Sequence, residues 1–383
     1  MARICFVLTI TPWDDRRQFH RQAPALAADG HEVLYLAGEG TPAEPPPFRM
    51  LSLSRRELRR SRPTGALNLY RRIVREAPDV VHLCSLELLP LGLALKATTS
   101  IRVVYDCRED MVSSMRHSKL RFPSWQREFL ARATAAVERA AARRFDGLIT
   151  ADPATGELHP EMPPNRRMVF YNTANLSFFP ADYPPLAERD FDLVLLGGTK
   201  PRSGIFVLAE LLGTLRAEGR RLRALVVGDL DPEGREAFEK QVFEFGVADD
   251  VVVTGRVPHP DVPAWLRRGR VGLVLLLADP KFDRNIACKA FEYMAAGMPV
   301  VSSDLAPERI FLRDGENGFL FPPGDVSALS ARVRMLLDDP SLAKKLGDRG
   351  RRDVEQEWNA EAEMRKLQQF YREVVLGPPR RVG

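Results

Sequence analysis

Lys289 and Glu292 stand three residues apart in the segment KAFEYMAAGMPVV. Its apolar positions recur at helical spacing until Gly297 and Pro299 stop the helix, and VVSSD then begins as a strand. Residues three apart on a helix share a face, so this ammonium and carboxylate meet either one ligand or each other. A carboxylate so placed can accept both hydroxyls of a ribose, and the free N–H groups of a helix start suit a diphosphate. The same spacing also describes an exposed intrahelical ion pair, and both readings stay open on the pair alone.

A second cluster lies in the loop GGTKPRSG, where Gly197, Gly198 and Gly204 flank Lys200 and Arg202. Glycines let the backbone approach a ligand closely, and the cations supply the positive charge that a departing diphosphate needs. Either cation could carry that role, and a solvated basic turn is the plain alternative. In the first half, TPWDDRRQFHRQA offers Asp14, Asp15 and Arg16, which either cap the following helix or meet a ligand, with His20 one turn in on its surface. His82 lies toward the end of DVVHLC, where it is a core histidine or faces a cleft. No Ser/His/Asp set and no carboxylate pair at metal-like spacing is present, which leaves hydrolase and metalloenzyme readings without support.

The elements that must position these residues alternate. ARICFVLTI reads as a buried strand, QFHRQAPALAADG as a helix closed by Gly30, and HEVLYLA as the next strand, which makes a βαβ unit. Strands follow at DVVHLC, IRVVYDC, DGLITA and MVFYN, with the amphipathic WQREFLARATAAVERAAARR among the helices between them. PADYPPLAERD, rich in proline and charge, reads as a linker. The cycle restarts at FDLVLLGG and continues through LRALVVGD, DVVVTGRV, VGLVLLLA, PVVSSD and GFLFPPG to a long amphipathic tail. The fold class is therefore α/β, two Rossmann-like domains facing across a cleft. Their expected bounds are 1–183 on the acceptor side and 184–360 on the nucleotide side, with a helix at 361–383 returning to the first domain.

At 383 residues the chain suits two such domains, and its 45% hydrophobic and 28% charged residues are ordinary for a globular protein. ICFVLTI is too short for a signal-peptide core and no stretch approaches the roughly 20 apolar residues of a membrane span. The expected location is the cytosol, at most peripheral to a membrane. Cys5, Cys84, Cys107 and Cys288 are far apart and read as reduced thiols without zinc spacing. Residues 1–183 carry 26 Lys and Arg against 20 Asp and Glu, whereas 184–383 carry 30 against 31, so the basic excess belongs to the first half.

KAFEYMAAGMPVV, VVVTGRVPHPDVPAWLRRGRVGLVLL before it and DGENGFLFPPGD after it together resemble the retaining glycosyltransferases of family 4, whose fold is GT-B. The resemblance covers nearly the whole chain. It implies that Glu292 binds ribose hydroxyls, that Lys289, with Ala287 and Cys288 before it, lies beside the donor phosphates, and that the turn at Arg256 and Val257 contacts the nucleobase. GGTKPRSG resembles that family's glycine-then-basic loop. On the acceptor side, expected to include Asp14, Arg16 and His82, IRVVYDCREDM resembles a segment that in many relatives reads Asp, small residue, His, Glu; here Asp106, Cys107, Arg108 and Glu109 stand there, so an arginine replaces the histidine. Arg108 is permanently charged and cannot act as a base, but it can contact donor sugar or diphosphate oxygens. A second departure is Arg284, where many relatives carry a glutamate that touches the donor sugar, and Asp283 substitutes if the loop shifts by one residue.

The implied activity is retaining transfer of a sugar from a nucleoside-diphosphate sugar to an acceptor hydroxyl, with no cofactor, no metal and no nucleic-acid partner. A sugar-nucleotide epimerase of the same fold and a non-catalytic sugar-nucleotide binder are the alternatives. RRELRRSRPTG places Arg55, Arg56, Arg59, Arg60 and Arg62 after a proline-rich loop, which suits either a solvated helix start or attraction to an anionic acceptor or membrane surface. At about 1 kcal/mol per basic residue near an anionic bilayer, the membrane reading predicts salt-sensitive co-sedimentation with anionic vesicles and none with neutral ones. Equal recovery in the supernatant under all conditions would remove that reading.

Overall fold

The computed structural model describes the chain except residues 41, 43, 55, 56, 58–62, 118–122, 181, 198–202, 231, 280–283, 285 and 378–383. It divides into two compact units, Met1–Asn172 with Glu363–Gly383, and Thr173–Ala362. Among the described residues, no helix is long and apolar enough to cross a membrane.

The first unit holds, among its described residues, a seven-stranded sheet in the order β3-β2-β1-β4-β5-β6-β7. Its strands are β1 (Arg3–Val7), β2 (Glu32–Ala37), β3 (Arg49–Ser52), β4 (Val80–Leu83), β5 (Arg102–Cys107), β6 (Gly147–Thr150) and β7 (Arg167–Val169), paired in parallel. In β1, Cys5 and Val7 join the apolar cluster on one face, while Ile4 and Phe6 join the cluster on the other. Burial on both faces is why the strand reads as a continuous apolar run. Leu367, Phe370, Tyr371 and Val375 from the end of the chain complete the second of these clusters. The edge strand β3 has no counterpart in the sequence reading, because Arg49 is exposed and Met50 and Leu51 are only half-buried.

The second unit holds, among its described residues, a six-stranded parallel sheet in the order β10-β9-β8-β11-β12-β13. These are β8 (Phe191–Leu196), β9 (Ala224–Val227), β10 (Val251–Val253), β11 (Gly269–Val274), β12 (Val300–Ser303) and β13 (Phe319–Phe321). Leu193 and Leu195 of β8 pack with Leu208, Leu211 and Leu215 of the helix Ile205–Ala217. PADYPPLAERD lies within this unit, so the boundary falls at 172/173 and not at 183/184. The Arg189 guanidinium sits over the Tyr183 ring and donates to the carbonyls of Gly269 at 2.9 Å and Ala296 at 3.3 Å, which ties the segment to the sheet.

The helix Lys289–Ala295 is fastened by one side chain. Tyr293 is fully buried; its hydroxyl accepts the Leu196 N–H at 2.6 Å and donates to the Leu273 carbonyl at 3.1 Å. It lies against Gly272 of β11, where a Cβ would collide with the ring. Removing the hydroxyl leaves two buried backbone groups without it, a cost of about 1–3 kcal/mol. Tyr293→Phe is therefore expected to lower the denaturation midpoint by that free energy divided by the m value, with m unchanged; an unaltered midpoint would show that the bridge carries no stability.

Candidate functional site

Two of the residues expected on the donor side, Lys289 and Glu292, lie on the helix Lys289–Ala295 of the second unit. Ala290, Phe291, Tyr293, Met294 and Ala295 are buried, which leaves Lys289 and Glu292 half-buried on the remaining face. Gly297, at φ 64, ends the turn. Apolar packing thus decides which way the two charged groups look.

Glu292 Oε1 lies 2.8 Å from His259 Nε2. The His259 ring is edge-on to Phe178, with centroids 5.7 Å apart, and it belongs to the turn after β10 that also holds exposed Arg256 and half-buried Val257. One hydrogen bond therefore joins the turn and the helix for which the family resemblance implies separate contacts to base and ribose. His259 escaped the sequence reading, since VPHPDVP shows proline punctuation and no periodicity that would aim a histidine.

Lys289 extends toward the end of β8. A Cβ built on Gly197, whose φ is 94, would lie 3.9 Å from Lys289 Cε, and one built on Gly228 would come within 2.7 Å of the Gly197 carbonyl oxygen. The ends of β8 and β9 therefore close backbone on backbone beside the lysine. Burial lowers the Lys289 ammonium to about 8, against the opposing pull of Glu308 and Glu292. Glu308, another residue absent from the sequence reading, is fully buried and accepts the Ala287 N–H at 2.9 Å. Burial raises its carboxyl to about 7 although the Ala287 N–H and Lys289 both favour the charged form. Ala287 is buried, Cys288 is exposed and Arg284 is half-buried. Gly198, Lys200, Arg202 and Asp283 lie outside the described residues, as do Arg55, Arg56, Arg59, Arg60 and Arg62.

In the first unit the expected acceptor-side residues separate into two groups. Asp106 is buried, and its two oxygens accept from Arg17 Nε at 3.1 and 3.0 Å, while one also accepts from Gln22 at 2.8 Å and Gln18 at 3.2 Å. The rest of the Arg17 guanidinium donates to the carbonyls of Phe170 at 2.5 Å and Thr150 at 3.2 Å and to Asn172 at 3.3 Å. Burial pushes the Asp106 carboxyl up, but Arg17 and His82 hold it well below the usual carboxylate range. His82 is fully buried, with Nδ1 2.6 Å from the Tyr371 hydroxyl and its ring stacked 4.3 Å from Phe6. Asp106 and His82 are therefore interior groups that fasten the first loop and the chain end to the sheet, which corrects the acceptor-side placement of Asp106 and takes the core alternative for His82. The other group remains accessible: Arg108 and Glu109 are half-buried, and Asp14 and Arg16 are exposed. Arg108 donates to one oxygen of Asp15 at 2.9 Å, and the other oxygen caps the N–H groups of Arg17 at 2.9 Å and Gln18 at 3.2 Å. The capping role falls to Asp15 alone among the three residues considered for it.

The family model described as "Glycosyl transferase 4-like domain" matches residues 16–173, and "Glycosyl transferases group 1" matches residues 175–339. Among curated proteins, the chain is 30% identical over 165 residues to an MMP alpha-(1->4)-mannosyltransferase of Mycolicibacterium hassiacum, covering 43% of this chain and 38% of that protein. It is 27% identical over 184 residues to the alpha-D-kanosaminyltransferase of Streptomyces kanamyceticus, covering 48% and 46%. The chain thus spans less than half the length of these relatives. In fold it is similar to sucrose-phosphate synthase from Thermosynechococcus elongatus, with a TM-score of 0.74 and 22% identity over 97% of this chain and 99% of that one. It is also similar to Anabaena HepE, solved with UDP and glucose, with a TM-score of 0.72 and 15% identity over 98% and 100%.

Glu308 gives the site a pH signature. Burial raises its folded carboxyl from the usual 4.5 to about 7, so the stability that the protonated form contributes is complete below pH 4.5 and is lost as pH rises through 7. Glu308→Gln keeps the acceptor for Ala287 without the ionisation. It is expected to flatten the fall in melting temperature across that window, whereas identical slopes in the two proteins would contradict the raised carboxyl.

Proposed function

The chain belongs to the GT-B glycosyltransferases of the family 4 type, and from that premise we propose that it moves a sugar from a nucleoside-diphosphate donor to an acceptor hydroxyl with retention of configuration. The observation that carries this reading is the Lys289–Glu292 face: a carboxylate oriented by His259 and a partly desolvated ammonium against Gly197, on one helix. In the proposed complex Glu292 accepts the ribose hydroxyls, the Arg256–Val257 turn meets the base, and Lys289 stands beside the diphosphate with Lys200 or Arg202. Anabaena HepE has been solved with UDP and with UDP-glucose, which makes UDP-sugars the first donors to try.

The proposed chemistry takes place on one face of the sugar. The bond from the anomeric carbon to the diphosphate oxygen breaks as the bond to the acceptor oxygen forms, and the acceptor proton passes to the departing phosphate. Negative charge grows on that phosphate, so the barrier falls with the cations held ready for it, and Lys289 with Lys200 or Arg202 supplies them without a metal. In the first unit, Arg108 is held by Asp15 yet only half-buried, and with Asp14, Arg16 and Glu109 it is proposed to meet substrate oxygens.

Glu292→Ala removes two charge-assisted hydrogen bonds to ribose and is expected to weaken nucleoside-diphosphate binding by about 2–5 kcal/mol while leaving the fold intact. Replacing Lys200 and Arg202 by Ala should lower turnover roughly ten- to a thousandfold through the residue that matters. Calorimetric binding and product analysis, with EDTA present and with the donor also incubated alone, check both. Unchanged affinity in Glu292→Ala, full activity in the double variant, or an epimer formed from donor alone would each refute the assignment.

A further inference from the structure

The first unit buries a thiol, a carboxylate and an imidazole against one another at the strand end that carries Arg108 and Glu109, where the Cys107 thiol also donates to the Glu109 carbonyl at 3.6 Å. Cys107 ends β5, Glu138 lies in the helix Ser124–Arg144, and His159 follows the helix Pro153–Glu157. Their relative exposures are 2%, 7% and 4%. The Cys107 sulfur, a Glu138 carboxylate oxygen and a His159 ring nitrogen all lie within 4.8 Å of one another. Tyr105, two residues before Cys107, hydrogen-bonds Glu138 and sets its ring edge-on to His159 at 6.4 Å. Glu138 Oε1 has no hydrogen-bond partner among the described residues. A buried carboxylate oxygen left without a donor in such a cluster is the signature of a missing counterpart.

We propose that Cys107, Glu138 and His159 form a binding site for a borderline transition cation, zinc(II) or a close analogue. One sulfur, one nitrogen and one oxygen suit such an ion better than magnesium or calcium, which prefer oxygen alone. Three protein ligands leave a fourth position for water or a further group. Bonds of about 2.0–2.3 Å set tetrahedral ligand atoms roughly 3.5 Å apart, so the observed spacing closes with side-chain rotations on the order of 1 Å. Burial keeps the Cys107 thiol protonated, raises Glu138 to about 7 and favours neutral His159. Binding would then expel the thiol proton and part of the carboxyl proton, roughly one to two protons per ion near neutral pH. The ion would brace β5, the long helix and the turn at His159, and so fix the strand end from which Arg108 and Glu109 project. The three residues are too far apart in sequence to form a spacing motif, and the fold alone assembles them.

The test is titration of the full, reduced, EDTA-stripped chain with cobalt(II), followed by displacement with zinc(II). The expected result is a thiolate-to-cobalt charge-transfer band that saturates at one equivalent, persists in Cys288→Ser and is absent in Cys107→Ser. Glu138→Gln and His159→Gln should each weaken binding by at least roughly 10- to 100-fold, the loss that even outer partners of metal ligands cause. Should Cys107→Ser fail to fold, zinc protection of the wild-type Cys107 from alkylation, with proton release on binding, reads the same site. Absence of a saturable band, its survival in folded Cys107→Ser, its loss in Cys288→Ser, or alkylation of Cys107 indifferent to zinc would overturn the proposal.

Discussion

The buried hydroxyl of Tyr293 is the point on which the second unit's site turns. It holds the N–H of Leu196 and the carbonyl of Leu273, and so joins the ends of β8 and β11 to one short helix. Lys289 and Glu292 take their direction from that attachment. The attachment in turn needs Gly272, because any side chain there would push the ring off the strand. A parallel sheet gathers its strand ends on one edge, and a loop or helix start fixed at that edge is where such a fold can present polar groups at low cost to its core. Leu196 immediately precedes the glycine-rich loop, so the same hydroxyl also fixes where that loop departs.

The first unit solves the same topological problem differently. Much of its polar chemistry near the strand ends is spent inside the protein, with Arg17 and Asp106 paired, Gln18 and Gln22 donating to Asp106, and Arg17 also donating to backbone carbonyls. A buried ion pair of this kind adds little net stability, yet losing one partner strands a charge at about 3–5 kcal/mol. Its value lies in fixing the first loop in one conformation, with Asp15 turned to cap the helix and to hold Arg108. Asp106 and Glu292 are thus chemically similar and physically opposite: one carboxylate is saturated by the protein, the other is half-exposed with a single histidine beside it.

Periodicity made the strands legible, because burial on both faces turns each central strand into an unbroken apolar run, and KAFEYMAAGMPVV carried both its helix and its stop. Pairing was not legible. Nothing in DDRRQ separates Arg16, which is exposed, from Arg17, which is fully buried, since the difference arises from a first turn wound as a π-helix over Gln18–Gln22. His259 and Glu308 were invisible for a related reason. Each acts through a partner more than 20 positions away in the chain, Glu292 for the first and Ala287 for the second, and local pattern carries no record of such contacts. The proline-rich segment before β8 misled in the other direction: its composition suits a free linker, while one buried arginine binds it to the sheet.

A crystal structure of the chain with a bound nucleoside diphosphate tests the role of the Lys289–Glu292 face most directly. The expected complex has both ribose hydroxyls on the Glu292 carboxylate at about 2.7–2.9 Å, the Lys289 ammonium beside a phosphate oxygen, and the base against the turn at Arg256 and Val257. A nucleotide seated elsewhere in the chain, or one whose ribose turns away from Glu292, would contradict it.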